Sequence, residues 1–388
     1  MLPTSGSRFS RITLFLSTRS NWVSALVCTL IALLSAPIPA QAGVLSVTNL
    51  VTDDQLVNTA NITDGSLINA WGISSSASSP FWVSDNGAGV ATLYSVNPAT
   101  NATSKLGLTV SIAGDGSVTG QAFNGGSDFN GDGFLFVSED GTVSGWRSAL
   151  GTNAEVLVTG LPSNVYKGTA LATIGANTYL YATNFHAGTI DVIKGNAGAP
   201  DLSGNFVDPN LPAGYAPFGI ANLGGKLYVT YALQDANGKD DVAGAGHGFV
   251  DVFDLQGNLL GRVASDGSLN SPWGLAIAPA SFGAFAGDLL VGNFGDGRIS
   301  AFDLGSNAFE GQLMGLGGNP LEIEGLWGLM AGNGVSAGNP LSIYFSAGPV
   351  DERHGLFGVI AAVPEPASLA LLGVGLAGLG FSRRRKLH

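Results

Sequence analysis

One short pattern limits the fold more than anything else in the chain. An aromatic or apolar residue, a glycine and an aliphatic residue recur as Trp71-Gly72-Ile73, Phe218-Gly219-Ile220, Trp273-Gly274-Leu275 and Trp327-Gly328-Leu329, with a looser copy at Lys167-Gly168-Thr169-Ala170-Leu171. A second element follows each: Phe81-Trp-Val-Ser-Asp-Asn86, Phe134-Leu-Phe-Val-Ser138, Tyr179-Leu-Tyr-Ala-Thr-Asn184 and Leu289-Leu-Val-Gly-Asn293. A glycine turn and another short apolar run come next, as in Gly188-Thr-Ile-Asp-Val192 and Gly297-Arg-Ile-Ser-Ala-Phe302. The marker glycines fall at 72, 168, 219, 274 and 328, and the double-length first gap holds the unit that ends at 134–146. Six units of about 50 residues, each made of short strands with period-2 patterning, predict the blades of a six-bladed β-propeller, an all-β fold. A pair of β-sandwiches or a β-helix would also use such strands, whereas a helical solenoid is excluded because no window shows a 3.6-residue period. The run from Val44 to Val51 precedes the first marker. It is expected to pair with the last blade near Leu356–Ile360 and clasp the ring shut.

Composition agrees with a turn-dense β-protein: of 388 residues, 58 are glycine, 45% are apolar and only 11% are charged. The ends read differently from the middle. Residues 1–42 carry Arg8, Arg11 and Arg19, then an apolar run from Trp22 to Ala36, then Ala40-Gln41-Ala42. This order is that of a secretory signal peptide cleaved after Ala42; an uncleaved anchor is the alternative, but the apolar run falls short of the ~20 residues of a spanning helix. Cleavage would remove Cys28, the chain's one cysteine, so no disulfide is expected in the mature domain. Residues 43–362 are assigned to the propeller, and residues 43–363 hold nine Lys or Arg against 27 Asp or Glu, a net charge near −18. Such a surface repels phosphate backbones, so nucleic acid is not an expected partner.

Residues 363–388 begin with Val363 and Pro364-Glu365-Pro366, continue through a glycine-rich apolar stretch to Phe381, and end in a basic cluster with Arg383, Arg384 and Arg385. This tail resembles the PEP-CTERM sorting signal that exosortase-type enzymes recognise in Gram-negative bacteria. The resemblance implies export, a single membrane-spanning segment held until processing, and a final place at the cell envelope or outside the cell. An ordinary C-terminal anchor is the alternative that hydropathy alone leaves open. Across the middle, Glu139-Asp-Gly-Thr-Val-Ser-Gly-Trp146, Gly248-Phe-Val-Asp-Val-Phe-Asp254, Asn293-Phe-Gly-Asp-Gly-Arg298 and Tyr344-Phe-Ser-Ala-Gly348 resemble an uncharacterised family of exported bacterial propeller proteins, of the NHL-like kind. That resemblance implies the fold and no activity.

If each marker glycine lies on the innermost strand of its blade, the loop entering a blade and the loop after its second strand share one face. Polar residues gather in those loops: Asp85, Asn86, Glu139, Asn184, His186, His247, Asn293, Asp296, Asp351 and His354. Turn chemistry alone accounts for many of them, because Asn and Asp stabilise tight turns through their own backbone. Asp128-Phe-Asn-Gly-Asp-Gly133 has the start of a calcium loop, with oxygen donors at Asp128, Asn130 and Asp132. A full EF-hand is not expected, since Phe134–Ser138 reads as a strand. The long insertion from Gln234 to Gly248 holds Asp235, Asp240 and Asp241, either a second cation site or a solvated flap. The three loop histidines would form a metal site only by converging.

No Gly-x-Ser-x-Gly elbow, His-Glu-x-x-His motif or phosphate-binding loop is present. The expected function is therefore a non-enzymatic binding or matrix-associated module of the cell envelope, using its loop face. Its partners would be the export machinery, an exosortase-type enzyme, and an exopolysaccharide or envelope protein. The alternative is a divalent-metal-dependent hydrolase or lyase similar to lactonase-like propellers, with Glu139, Asn184, Asn293 and Asp296 as ligands. No cofactor is required by either the composition or the motifs, and calcium is the one that the loops suggest.

Overall fold

The computed structural model describes residues 44–363. The proposed signal peptide with Cys28, and the sorting residues Pro364, Glu365, Pro366, Arg383, Arg384 and Arg385, lie outside the described residues. The described chain opens with β1 (Leu45–Thr52) and the two-residue β2 (Ile62–Thr63), then forms six antiparallel sheets in sequence. Blade one is β3 (Ala70–Ser74), β4 (Phe81–Asp85), β5 (Val90–Val96) and β6 (Thr103–Ser111). Blade two is β7 (Val118–Phe123), β8 (Phe134–Ser138), β9 (Val143–Trp146) and β10 (Glu155–Val158). Blade three has three strands, β11 (Tyr166–Ile174), β12 (Asn177–Asn184) and β13 (Thr189–Lys194). Blade four is β14 (Tyr215–Leu223), β15 (Lys226–Leu233), β16 (Phe249–Phe253) and β17 (Leu259–Ser265). Blade five is β18 (Pro272–Ile277), β19 (Leu289–Asn293), β20 (Ile299–Phe302) and β21 (Phe309–Gln312). Blade six joins both ends of the domain: β22 (Leu326–Ala331), β23 (Ile343–Ala347) and β24 (Leu356–Ala362) are completed by β1, with β2 beyond it.

The expected clasp is present. β1 runs antiparallel to β24 in a register that pairs Leu45 with Ala362 and Thr52 with Leu356. Main-chain bonds from the first strand thus close the sheet made by the last three, and leave the ring without an unpaired seam at that point.

The six innermost strands meet around the axis at the marker glycines. The second unit, whose marker the aromatic pattern does not reveal, supplies Gly120 from Thr119-Gly120-Gln121. A Cβ at Gly72 would lie 2.6 Å from Thr119 O, one at Gly120 2.6 Å from Thr169 N, one at Gly168 2.9 Å from Phe218 O, and one at Gly274 2.5 Å from Trp327 O. Gly219 faces Trp273 O in the same way, and Gly328 closes the circuit 2.8 Å from Trp71 O. Each inner strand also slips its register beside this glycine, as between Ala70 and Ile73 or Pro217 and Ile220, a bulge that bends the strand toward its neighbour. Hydroxyls on the second strand satisfy the displaced amides. Gly168 N–H donates to Thr183 Oγ1 (2.7 Å), whose hydroxyl donates across to Phe218 O (2.7 Å). Ser346 does the same between Gly328 N–H and Trp71 O.

A methyl group at these positions has no room, since backbone stands on the other side. Gly72→Ala and Gly274→Ala are expected to lower unfolding free energy by about 1–3 kcal/mol each, whereas Gly261→Ala, which meets nothing within 4 Å, should leave it within ~0.5 kcal/mol. Urea denaturation of residues 43–363 would check this, and equal stability of all three variants would refute the close-packed ring.

Candidate functional site

The residues that precede the ring glycines point toward the loop face and fill the axis. Trp327 is stacked between Trp71 (ring centroids 3.6 Å apart) and Phe294 (3.9 Å), with Trp273 edge-on to Trp71 at 6.2 Å. Phe185, Phe218 and Ala232 complete this apolar plug. The tryptophans therefore form core rather than a stacking platform for sugar.

In blade three the equivalent residue is Lys167, whose side chain is 3% exposed. Its ammonium sits 5.2 Å from the Trp71 ring centroid, 2.5 Å from Glu139 Oε1 and 3.3 Å from Asp240 Oδ1. Burial alone would pull the lysine pKa down; Glu139 first, then Asp240, outweigh it and hold the group above its ordinary value. Asp240 reaches the axis because the 234–248 insertion folds inward, anchored by Gln234 Nε2, which donates to Phe185 O at 2.5 Å. Asp241 packs beneath it, and its carboxyl is pushed above the usual aspartate value by burial, partly countered by the Ser271 hydroxyl and Lys167.

Beside this pair opens a cavity of about 680 Å³ on the same face, lined by Asp296, Glu322, Glu324, Asp351, Glu352 and Phe294 among others. Two of the five carboxylates have a cationic neighbour: Arg298 pairs with Glu322 at 2.6 Å, and Arg353 approaches Asp351 at 3.4 Å. Among the described residues the other three face no cationic partner within ion-pair distance. Asp296 Oδ1 accepts from Arg298 N–H (3.1 Å) and Asn293 Nδ2 (3.1 Å), Glu324 Oε1 accepts from Val350 N–H (3.0 Å), and Glu352 Oε2 accepts from Asn69 Nδ2 (2.8 Å). Burial raises the Glu352 carboxyl above the ordinary glutamate value, opposed in part by the Asn69 amide and Lys167. The segment presenting Glu352 is strained: Val350, Asp351 and Glu352 all have left-handed φ, at 58°, 50° and 62°, a conformation that a β-branched valine adopts only when its surroundings impose it.

The structure divides the residues proposed from sequence. Glu139, Asp240, Asp296 and Asp351 lie at this centre. Asp85 is fully buried at the end of β4, where Thr92 Oγ1 donates to it at 2.7 Å and desolvation pushes its pKa well up. Asn86 accepts from Asn69 Nδ2 at 3.3 Å. Asn184 and Asn293 are both buried and both hold their own loops: Asn184 Oδ1 accepts from Val165 and Ala187 N–H, and Asn293 Nδ2 donates to Ser268 O at 2.8 Å. Asn293 and Asp296 bond each other, while Glu139 pairs with Lys167 and Asn184 holds its own loop, so the four do not share one focal point. The histidines are also dispersed in their bonding. His186 is exposed, His247 Nδ1 lies 2.9 Å from Val242 O of its own loop, and His354 Nδ1 lies 2.8 Å from Asp53 Oδ2 beside the clasp.

The Asp128 loop belongs to the opposite side. Asp128 caps Thr178 N–H (2.8 Å), Asn130 Nδ2 donates to Glu155 (2.8 Å), and Asp132 pairs with Arg147 (2.7 Å). Asp235 accepts three amides of its own turn, from Asn237, Lys239 and Asp240. Among the described residues no three His, Cys, Asp or Glu side chains are grouped closely enough to hold a metal ion. Pattern reading missed Lys167 as a site residue, together with Glu322, Glu324, Glu352 and Asn69. The signal for Lys167 was available, since a cation stands where four of the other units carry an aromatic residue.

Comparison with known proteins adds two findings. The PEP-CTERM protein-sorting motif matches residues 362–386. Two proteins of Acanthamoeba polyphaga mimivirus are similar over most of their length: "Uncharacterized protein R648" is 34% identical over 294 residues, covering 70% of each chain. "Uncharacterized protein L690" is 33% identical over 318 residues, covering 76% of this chain and 80% of the viral one. Solved structures with some likeness include a streptogramin B lyase, at 12% identity and TM-score 0.48 over 84% of this chain and all of that one. The PQQ-bound aldose sugar dehydrogenase of Streptomyces coelicolor gives 15% identity and TM-score 0.46 over 83% and 99%.

Lys167 supplies a direct test of the axial centre. Lys167→Met leaves Glu139 buried without its partner and is expected to cost about 3 kcal/mol. The double variant Lys167→Met with Glu139→Gln should recover most of that loss, as read by urea melts at neutral pH. A double variant no more stable than the single one would show that the ion pair is not what holds this part of the axis.

Proposed function

The chain belongs to the same family as these two mimivirus proteins, and we propose that this member is a binding module that captures an amine-bearing ligand in the acidic cavity of its loop face. One observation carries the reading. Carboxylates from three separate loops, Asp296, the Glu322–Glu324 segment and Asp351–Glu352, border a single cavity of about 680 Å³, and only two of the five are within ion-pair distance of a cation. Their spread across the cavity suits several positive charges separated along a chain better than one metal ion, which needs its oxygen donors within about 2.6 Å of a point. Phe294 and the Trp327 stack beneath it provide an apolar floor against which an alkyl spacer or the face of a cation packs. The sorting motif fits such a module to a life outside the cytoplasm, where amine-bearing glycans and peptides are available.

Spermidine is a suitable probe. Calorimetric titration of residues 43–363 should detect binding that weakens with added salt. Glu324→Gln and Asp296→Asn should each weaken it roughly 5–20-fold, equivalent to about 1–2 kcal/mol. Affinity is also expected to rise with pH from the acid side. Burial raises the Glu352 carboxyl above the ordinary glutamate value, so its charge becomes available to a cationic ligand only at a higher pH than that of an ordinary glutamate. Failure of spermidine to bind at any pH, or binding by both variants as tight as by the parent domain, would remove the cavity from consideration.

A further inference from the structure

The polarity of the domain extends beyond the cavity. On the side away from the loop face, four loops of blades five, six and one, residues 75–80, 97–102, 279–287 and 332–342, contain no charged side chain at all. They form one continuous surface. Asn333 Nδ2 donates to Ser76 O (3.0 Å) and Ser79 O (2.8 Å), Val96 N–H donates to Ser336 O (2.9 Å), Tyr344 OH donates to Asn101 Oδ1 (3.2 Å), and Ser281 Oγ donates to Leu341 O (2.5 Å). Val335 and Leu341 stand out from this surface, 56% and 50% exposed. Charge borders this surface without crossing it: Asp288 lies with Asp303 and Glu310 at its blade-five edge, and the corresponding loops of blade two hold Asp128, Asp132 and Arg147.

The end of the described chain lies on this side. β24 starts near the loop face, where Leu356 pairs with Ala347, and runs away from it, so that Ile360 pairs with Ile343 at the mouth of the 332–342 loop. Val363 follows, its N–H donating to Val44 O at 2.9 Å. Only five residues, 364–368, then separate the folded domain from the apolar run of Leu369 to Phe381. Fully extended they reach ~17 Å, and the run itself is short of the ~20 residues that span a bilayer, so the tether has no slack.

We propose that, while the sorting tail is uncut, the uncharged surface formed by residues 75–80, 97–102, 279–287 and 332–342 lies against the lipid bilayer and the acidic loop face points away from it. Charge complementarity acts in the same direction. A domain near −18 is repelled by anionic headgroups, and the repulsion decays within a Debye length of about 10 Å. It is therefore less when the acidic cavity is on the distant face and the uncharged surface is apposed than in the reverse orientation. This orientation is independent of what the cavity binds.

The test uses the full chain with its tail, produced in a host without a sorting enzyme and reconstituted in phosphatidylethanolamine–phosphatidylglycerol vesicles. Cys28 is the only natural cysteine, so after signal-peptide cleavage single cysteines at Val335, Leu341, Lys239 or Asp351 accept an environment-sensitive fluorophore without competition. Nitroxide-labelled phospholipid should quench the fluorophore at 335 and 341 at least twofold and leave 239 and 351 unchanged. Melting curves of the labelled variants establish that each is folded. Equal quenching at all four sites, quenching confined to the loop face, no quenching anywhere, or failure of the full chain to float with the vesicles would each overturn the proposal.

Discussion

Backbone-to-backbone contact around the axis is the constraint on which the rest of the domain depends. Six inner strands approach so closely that the residue facing the next strand has no space for a side chain, and each approach is reinforced by a bulge and, in blades three and six, by a bridging hydroxyl. Once those six glycines are in place, the residue before each one is fixed in direction. In four blades it is an aromatic residue of the axial cluster on the loop face, and in blade three it is Lys167, which lies over Trp71. What occupies those positions decides whether the channel is open, polar or sealed. Here Trp71, Phe218, Trp273 and Trp327 seal it, and Thr119 Oγ1 ties blade two to blade three by donating to Tyr166 O at 2.8 Å.

Against this apolar plug a single charged residue has large consequences. Lys167 takes an aromatic position and cannot escape to solvent, so the surroundings must supply negative charge. Glu139 comes from the neighbouring blade and Asp240 from the long insertion of blade four. The lysine therefore has two effects: it draws the insertion over the axis, and it neutralises the carboxylates nearest the centre. The acidic cavity lies to one side of it, between blades five and six, where no buried lysine is available. That division explains why the open, uncompensated carboxylates are off-axis rather than in the central channel where metal-dependent propellers would need them.

The architecture was largely legible in the sequence because its determinant is local and repeated: a glycine flanked by bulky residues needs no knowledge of distant contacts to be noticed. The clasp was legible for the same reason, a β-patterned run left without a partner at each end. The unit around Gly120 escaped the pattern, since Thr119 and Gln121 replace the usual neighbours. Gln121 instead joins Ser74 and Gly72 O across blades through its side-chain amide. The candidate site was only half visible. Asp and Asn in the loops after a strand look alike whether they stabilise a turn, as Asp235 and Asn184 do, or face a cavity, as Asp296 does. Glu322 and Glu324 carried no motif, and their importance arises from which blades happen to adjoin.

Closing the ring through β1 and β24 also brings the two ends of the described domain to one place. Leu45 pairs with Ala362, so the segment that follows the proposed signal-peptide cleavage and the segment that precedes the sorting motif leave the same blade side by side. A propeller closed within a single unbroken blade would allow the termini to emerge with no strand shared between them. Sharing the last blade makes the seam of the ring and the segment leading to the sorting motif the same structure, held by a ladder of main-chain hydrogen bonds along its length. On the opposite face, strain at Val350–Glu352 is held by the cavity's own contacts, Glu324 with Val350 and Asn69 with Glu352.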